Sequence, residues 1–170
     1  MIIYFIFSHD LIQKAVKLET SLLAKRRNIP TQDGVESLFD DLVMDEDYDT
    51  LFRRLFAEAH AEIVRNIPPK MIEPTPTDLS SIFTEFEDFR QDRDFALWID
   101  VNCDFPMQYK KSIDTEIQLY LIDYICYRWF ETKSPQDAMT YYSRLNTTLN
   151  EIVRLLTRRT IPLQKKPSFP

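Results

Sequence analysis

The strongest constraint on this chain is the run IQLYLIDYICYRWF, residues 117–130. Only Asp123 and Arg128 carry formal charge in it, and apolar or aromatic side chains occupy nearly every side of a helix drawn through it. Such a helix must be covered on most sides, by its own domain or by neighbouring subunits. The chain has 170 residues, 44% of them apolar. That suffices for one domain burying roughly 70% of its unfolded surface without a disulfide or a metal.

The elements around that run follow from periodicity and punctuation. Residues 9–27 read as a helix, with Ser8 or Asp10 able to cap it and Leu11, Ala15, Leu18 and Leu22 on one face. It closes on Lys25-Arg26-Arg27, cations placed at the negative end of the helix dipole. A second helix opens at Asp45–Asp49 and runs to about Asn66, with Tyr48, Leu51, Phe52, Leu55, Phe56, Ala59 and Ile63 inward. Pro68-Pro69 stop it, and Pro74 and Pro76 keep 67–77 extended or turned. Alternation over Ile82, Thr84 and Phe86, and over Phe95, Leu97, Ile99, Val101 and Cys103, predicts two strands flanking a polar loop at 88–94. The N-terminal MIIYFIF is the candidate third strand.

Residues 108–132 form the third helix. Ser134-Pro135, with Asp137 in the first turn, opens the fourth. The fourth carries Ala138, Tyr142, Leu145, Leu149, Ile152 and Leu156 at heptad spacing, and Pro162 forbids continuation beyond Arg158-Arg159. The fold expected is mainly α: a bundle of about four helices with a small β insertion. Residues 1–158 form one helical domain with the insertion around 80–105, and 159–170 form an extended C-terminal arm.

Catalytic chemistry is poorly supplied. Gly34 is the only glycine, so there is no Gly-rich phosphate cradle. Cys103 and Cys126 lie 23 apart and read as two buried thiols rather than a zinc or disulfide pair. His9, at a helix start, and His60, beside the apolar stripe of the second helix, read as structural. Asp45-x-Asp47-x-Asp49 resembles the start of a calcium loop, but Thr50 stands where the turn wants Gly and Phe56 where a bidentate Glu belongs. Glu85, Glu87, Asp88, Asp92 and Asp94 read as a solvated acidic rim. The chain is therefore expected to be no enzyme and to use no metal or cofactor. No run approaches the roughly 20 apolar residues of a membrane span, so a soluble protein made in the cytoplasm is expected.

Charge layout carries the positive signal. The whole chain carries −6, and residues 33–49 hold eight acids without a Lys or Arg. Residues 158–170 hold Arg158, Arg159, Lys165 and Lys166 and no acid, a local +4, which leaves −10 on the other 157 residues. A basic tail on an acidic body suits a negatively charged partner, DNA or an acidic protein surface. Leu163 and Phe169 beside the cations favour a protein groove over a phosphate backbone.

The segments HDLIQKAVKLETSLLAKR, YDTLFRRLFAEAHAEIVRNI and YLIDYICYRWFETKSPQDAMTYYSRLNTTLNEIVRLLTRR, with a tail beginning TIP, occur in that order. In helix order and side-chain type the chain resembles the head–tail connector (adaptor) proteins of tailed bacteriophages, most closely those of phages and prophages of gut Bacteroidales. The likeness spans 9–66 and 108–163, and 67–107 has no counterpart in the simplest helical connectors. The resemblance implies a virion structural protein, made in the host cytoplasm, that assembles as a ring, usually of twelve copies, beneath the portal. It implies an arm docking on the portal through Arg158, Arg159, Ile161, Leu163, Lys165, Lys166 and Phe169. The ring would offer a platform to further neck or tail proteins and a lumen through which DNA passes without specific binding. Asp40, Asp41, Asp45, Glu46 and Asp47 would line that lumen or face a neighbour. The contrasting expectation is a soluble acidic helical interaction module, such as a mobile-element regulator or an immunity-type inhibitor.

Overall fold

The structure, a computed structural model, describes residues 1–27, 42–67, 71–72 and 94–158. Along the chain these form β1 (Ile2–Phe7), α1 (His9–Arg27), a 3-10 turn (Glu46–Tyr48), α2 (Asp49–Asn66) and β2 (Met71–Ile72). There follow β3 (Phe95–Asp100), a second 3-10 turn (Met107–Tyr109), α3 (Lys110–Lys133) and α4 (Pro135–Leu156). The fold is mainly helical: a bundle with a small antiparallel sheet in the order β1-β3-β2. The strand and loop expected at 80–93 and the arm expected at 159–170 lie outside the described residues.

Most of the apolar girth of α3 is covered within the protomer. Ile113, Ile117, Leu121, Ile125, Cys126 and Phe130 are completely enclosed, and α1, α2, α4 and β1 all pack against this helix. Each fully buried Ile, Leu or Phe contributes roughly 1.5–3 kcal/mol, so this one helix anchors the core. The α4 seam is likewise internal, because only Ser134 separates α3 from α4 and the two pack as a helical hairpin.

Half of that seam is the expected one, Ala138, Leu145 and Ile152, and the other half is shifted by one residue. The buried positions of α4 are Ala138, Tyr141, Leu145, Thr148, Ile152 and Leu155, while Tyr142 is 46% exposed and Leu149 and Leu156 are half-buried. Paired residues of similar character at 141/142 and 155/156 let either face serve, and contact with α3 selected the first. Ser134 holds the cap position, but its hydroxyl donates to the Asp137 carboxylate at 2.5 Å instead of accepting a backbone N–H.

The inward face of α1 also differs. Leu11 and Leu18 are 67% and 61% exposed and Leu22 is 44% exposed, whereas Ile12, Val16, Thr20 and Ala24 are buried. Two stripes 100° apart both look apolar in sequence. The structure chooses the one ending in small residues, which lets α1 approach the bulky α3 closely. Thr20 then does a second job: its Oγ1 donates to the Val16 carbonyl at 3.0 Å and accepts the Met44 N–H at 3.2 Å. Trp129 Nε1 donates to the Leu42 carbonyl at 2.9 Å. These bonds clamp residues 42–44 between α1 and α3 and so place the start of α2.

The N-terminal segment is a strand, pairing antiparallel with β3 from Ile2 opposite Asp100 to Phe7 opposite Phe95. Ile3, Phe5, Phe7, Leu97, Ile99 and Val101 face the core. Cys103 lies beyond the end of β3 and is exposed, against expectation, because the strand stops at Asp100; Cys126 is buried as expected. Asp94 is not part of a solvated rim. It is only 9% exposed, and its Oδ1 accepts the His9 N–H at 2.8 Å, capping α1 from 85 residues away.

Ile12→Ala is expected to cost about 2–5 kcal/mol and Leu11→Ala less than about 0.5 kcal/mol in urea unfolding. Equal costs would show that α1 is rotated from this placement.

Candidate interaction surface

The arm and the acidic segment are the sequence-predicted site. Of the arm, the structure describes Arg158 alone; Arg159, Ile161, Leu163, Lys165, Lys166 and Phe169 lie outside the described residues. Arg158 Nη1 donates to Tyr109 Oη at 2.9 Å, and its guanidinium lies 4.9 Å from that ring's centre. The hydrogen bond and the positive charge lower the Tyr109 hydroxyl below its ordinary value. The place where the arm departs is therefore defined, at the start of α3.

Of the acids, Asp40 and Asp41 lie outside the described residues. Asp45 Oδ1 accepts the Asp47 N–H at 3.1 Å, and its carbonyl accepts the Tyr48 N–H at 3.2 Å, so Asp45 shapes the turn into α2. Glu46 occupies that same 3-10 turn, and Asp47 points to solvent. The turn is joined to the far end of α3: Tyr48 meets Trp129 edge-on at 4.8 Å, and Lys133 lies over both rings. Since α3 has 24 residues, about 36 Å separates the acidic turn from the arm's root.

Along its length α4 divides two surfaces of different chemistry. On one flank, a groove of about 400 Å³ runs between α4, α3 and the end of α2. Tyr120, Tyr124 and Tyr127 from α3 line it, with Tyr142 and Asn146 from α4 and Asn66 from α2. Tyr120 stacks with Tyr124 at 6.4 Å, and Tyr127 packs on Tyr142 at 5.4 Å. Burial, reinforced by the Glu62 carboxylate, pushes the Tyr120 hydroxyl up to about 12, against the lowering effect of its bond to Asn66. Sequence reasoning counted these tyrosines as apolar girth. Their recurrence at 109, 120, 124 and 127 was the available signal, since a ring with a polar tip suits a half-wet surface.

The other flank faces α1. A pocket of about 240 Å³ lies there, lined by Glu19, Leu22, Arg26, Asp137, Thr140 and Arg144 among others. Beside it α1 exposes Leu18 and Leu22. Beneath it lies a buried polar cluster. Asp123 of α3 is 1% exposed, and Arg144 Nη2 sits 3.0 Å from its Oδ1 and 3.5 Å from Glu19 Oε1. Burial raises the Asp123 carboxyl to about 6; Arg144 opposes that shift and Glu19 adds to it. Burial also drives the Cys126 thiol well above its usual range, which makes it an inert packing group.

Both histidines are packing residues. His60 stacks on Phe95 at 4.4 Å, and desolvation lowers its pKa against a backbone bond at Ala96. His9 is 2% exposed, edge-on to Phe52 at 4.9 Å, with Nδ1 3.1 Å from Asp10 Oδ1. Among the described residues, no group of three or more His, Cys, Asp or Glu is placed to hold a metal ion, and no helix is long and apolar enough to cross a membrane. No family model, curated protein or solved structure matches this chain.

The Asp123 carboxyl binds its proton more tightly folded than unfolded. Its contribution to stability is therefore complete below about pH 4 and is lost as pH rises through about 6. Asp123→Asn should flatten that dependence, measured as the difference from wild type in urea unfolding between pH 4 and 7.5. Arg144→Met should cost roughly 3 kcal/mol at pH 7.5, the low end for breaking a buried pair because the guanidinium is partly exposed, and less at pH 5. A cost independent of pH would rule out the ion pair as its source.

Proposed function

We propose that this chain is a head–tail connector (adaptor) subunit in the neck of a tailed bacteriophage, a structural protein of the virion. The observation that carries this reading is the polarity of the protomer along α3. The root of a basic arm is held at one end by Arg158 on Tyr109, and the acidic turn at Asp45–Asp47 is held at the other. A subunit that joins two layers of an axial assembly needs different chemistry at its two ends. Opposite signs of charge also orient each copy as it docks.

Lateral assembly is supported by the flanks of α4. A closed ring uses heterologous contacts, in which one face of a subunit meets a different face of the next. The leucines of α1 and the tyrosine groove are two such unlike faces. Most of the apolar girth of 117–130 and the buried seam of α4 pack within the protomer, and the tyrosines at 120, 124 and 127 form the strip left beside the groove. In this reading the arm 159–170 grips the portal, twelve copies close the ring, and its upper or lower face carries the next neck or tail protein. The acids at the α2 start face the DNA path or a neighbour, where negative charge keeps phosphates from adhering.

Mixed with portal, the full chain should form rings visible by negative stain, and deletion of 159–170 should weaken portal binding at least about tenfold, or 1.4 kcal/mol. Leu18→Glu with Leu22→Glu should abolish rings while leaving the circular dichroism spectrum unchanged. Undiminished portal binding by the truncated chain would refute the arm's role.

A further inference from the structure

The outer side of α1 has the composition of a helix that lies in a groove. Leu11, Lys14, Leu18, Leu22 and Lys25 recur at spacings of three and four, which keeps them within an arc of about 80° around the helix. All five are exposed, and no acid shares that arc. From Lys14 onward the row reads cation, leucine, leucine, cation. Anchors at i, i+4 and i+7, here Leu18, Leu22 and Lys25, are the pattern of helix-in-groove recognition.

The tyrosine groove is its complement in length and in charge. From Leu18 to Lys25 is seven residues, about 10 Å of helix, and so is each long wall, Tyr120 to Tyr127 on α3 and Tyr142 to Leu149 on α4. A carboxylate stands at each end. Glu62 lies beside Tyr120 at one end, and Glu131 accepts the Tyr127 hydroxyl at 3.3 Å at the other. The groove's own cation, Arg128, is held by Glu131 at 2.7 Å and by Glu58 at 3.7 Å, so it presents no uncompensated charge to an entering lysine. Glu62 shares its charge only with Arg65, at 2.9 Å on the surface of α2. Tyrosine faces take leucine methyls and lysine ammoniums alike, and the chain already sets Lys110 over Tyr4 at 4.3 Å. The row and the groove lie on opposite flanks of α4, so the row of one copy cannot enter its own groove.

We propose that α1 of one copy lies in the tyrosine groove of the next, with Leu18 and Leu22 on the tyrosine faces and Lys14 and Lys25 at the carboxylates of the two ends. This deepens the lateral contact of the proposed function by naming which face meets which, and it rests on that reading only in requiring that copies assemble side by side. The contact is head-to-tail: each copy uses both faces, so assembly continues by repetition until a ring closes.

The test uses the full chain without portal. Tyr142→Arg with Asn146→Arg blocks the groove and keeps the row; Leu18→Ser with Leu22→Ser blunts the row and keeps the groove. All four positions are exposed, and circular dichroism with urea unfolding checks that each variant folds. In analytical ultracentrifugation at about 100 µM, the wild type should form species larger than a dimer, and each variant alone should be monomeric. The two variants mixed should form a 1:1 heterodimer and nothing larger, because the mixture holds one intact row for one intact groove. Lys14→Glu with Lys25→Glu should weaken wild-type association at least about tenfold. A monomeric wild type or a monomeric mixture overturns the pairing. So does a groove-blocked variant that still dimerises, row on row, or a row-blunted one that does, groove on groove. Rings on portal with no heterodimer in the mixture would refute this pairing and leave the connector reading standing; a heterodimer with no portal binding would do the reverse.

Discussion

Everything in this structure is arranged around the need to remove α3 from water. A helix with isoleucines, leucines and aromatics on nearly all sides cannot rest on a single neighbour, so α1, α2, α4 and the sheet close around it. The hairpin with α4 is the cheapest of these contacts entropically, since one residue joins the two helices. The contacts with β1 and α1 come from the opposite end of the chain and carry the larger loop-closure cost.

A few polar bonds fix how that cover is laid on. Hydrophobic burial is non-directional, so it leaves each helix able to rotate. Asp94 holds the first turn of α1 against the strand, Thr20 and Trp129 hold residues 42–44, and Asp123 ties α3 to α4 through Arg144. Each places a polar group where water is excluded, and a one-position rotation would leave it unpaired. That penalty, about 1–3 kcal/mol for a neutral group and more for a charge, exceeds what most single apolar contacts offer against it.

The core leaves several surfaces unused. The α1 leucines, the tyrosine row and the two charged ends share one origin. Each is surface left over once most of α3 is covered: the leucines on the outer side of α1, the tyrosines on the strip of α3 beside the groove. A connector that must meet sister copies sideways and different proteins above and below would draw on such surfaces. Tyr124, Tyr127 and Tyr142, half-buried or exposed, offer ring faces beside polar tips to such a contact.

The candidate site was legible where charge defined it and hidden where side-chain type had to be weighed. The +4 of 158–170 and the acids of 33–49 are visible in the letters. The tyrosine row was absorbed into an apolar run, and Asp94 was grouped with its acidic neighbours because nothing local marks a cap for a helix 85 residues away. Local order determined the helices of 9–27, 49–66, 110–133 and 135–156 and the strands at 2–7 and 95–100, because period, proline and capping residues act over a few positions. Which stripe of α1 turns inward, which of Tyr141 and Tyr142 is buried, and where the tyrosines gather were decided only by tertiary structure. In each case two neighbouring faces have nearly equal apolar content, and the difference between them exists only once α3 is there to be covered.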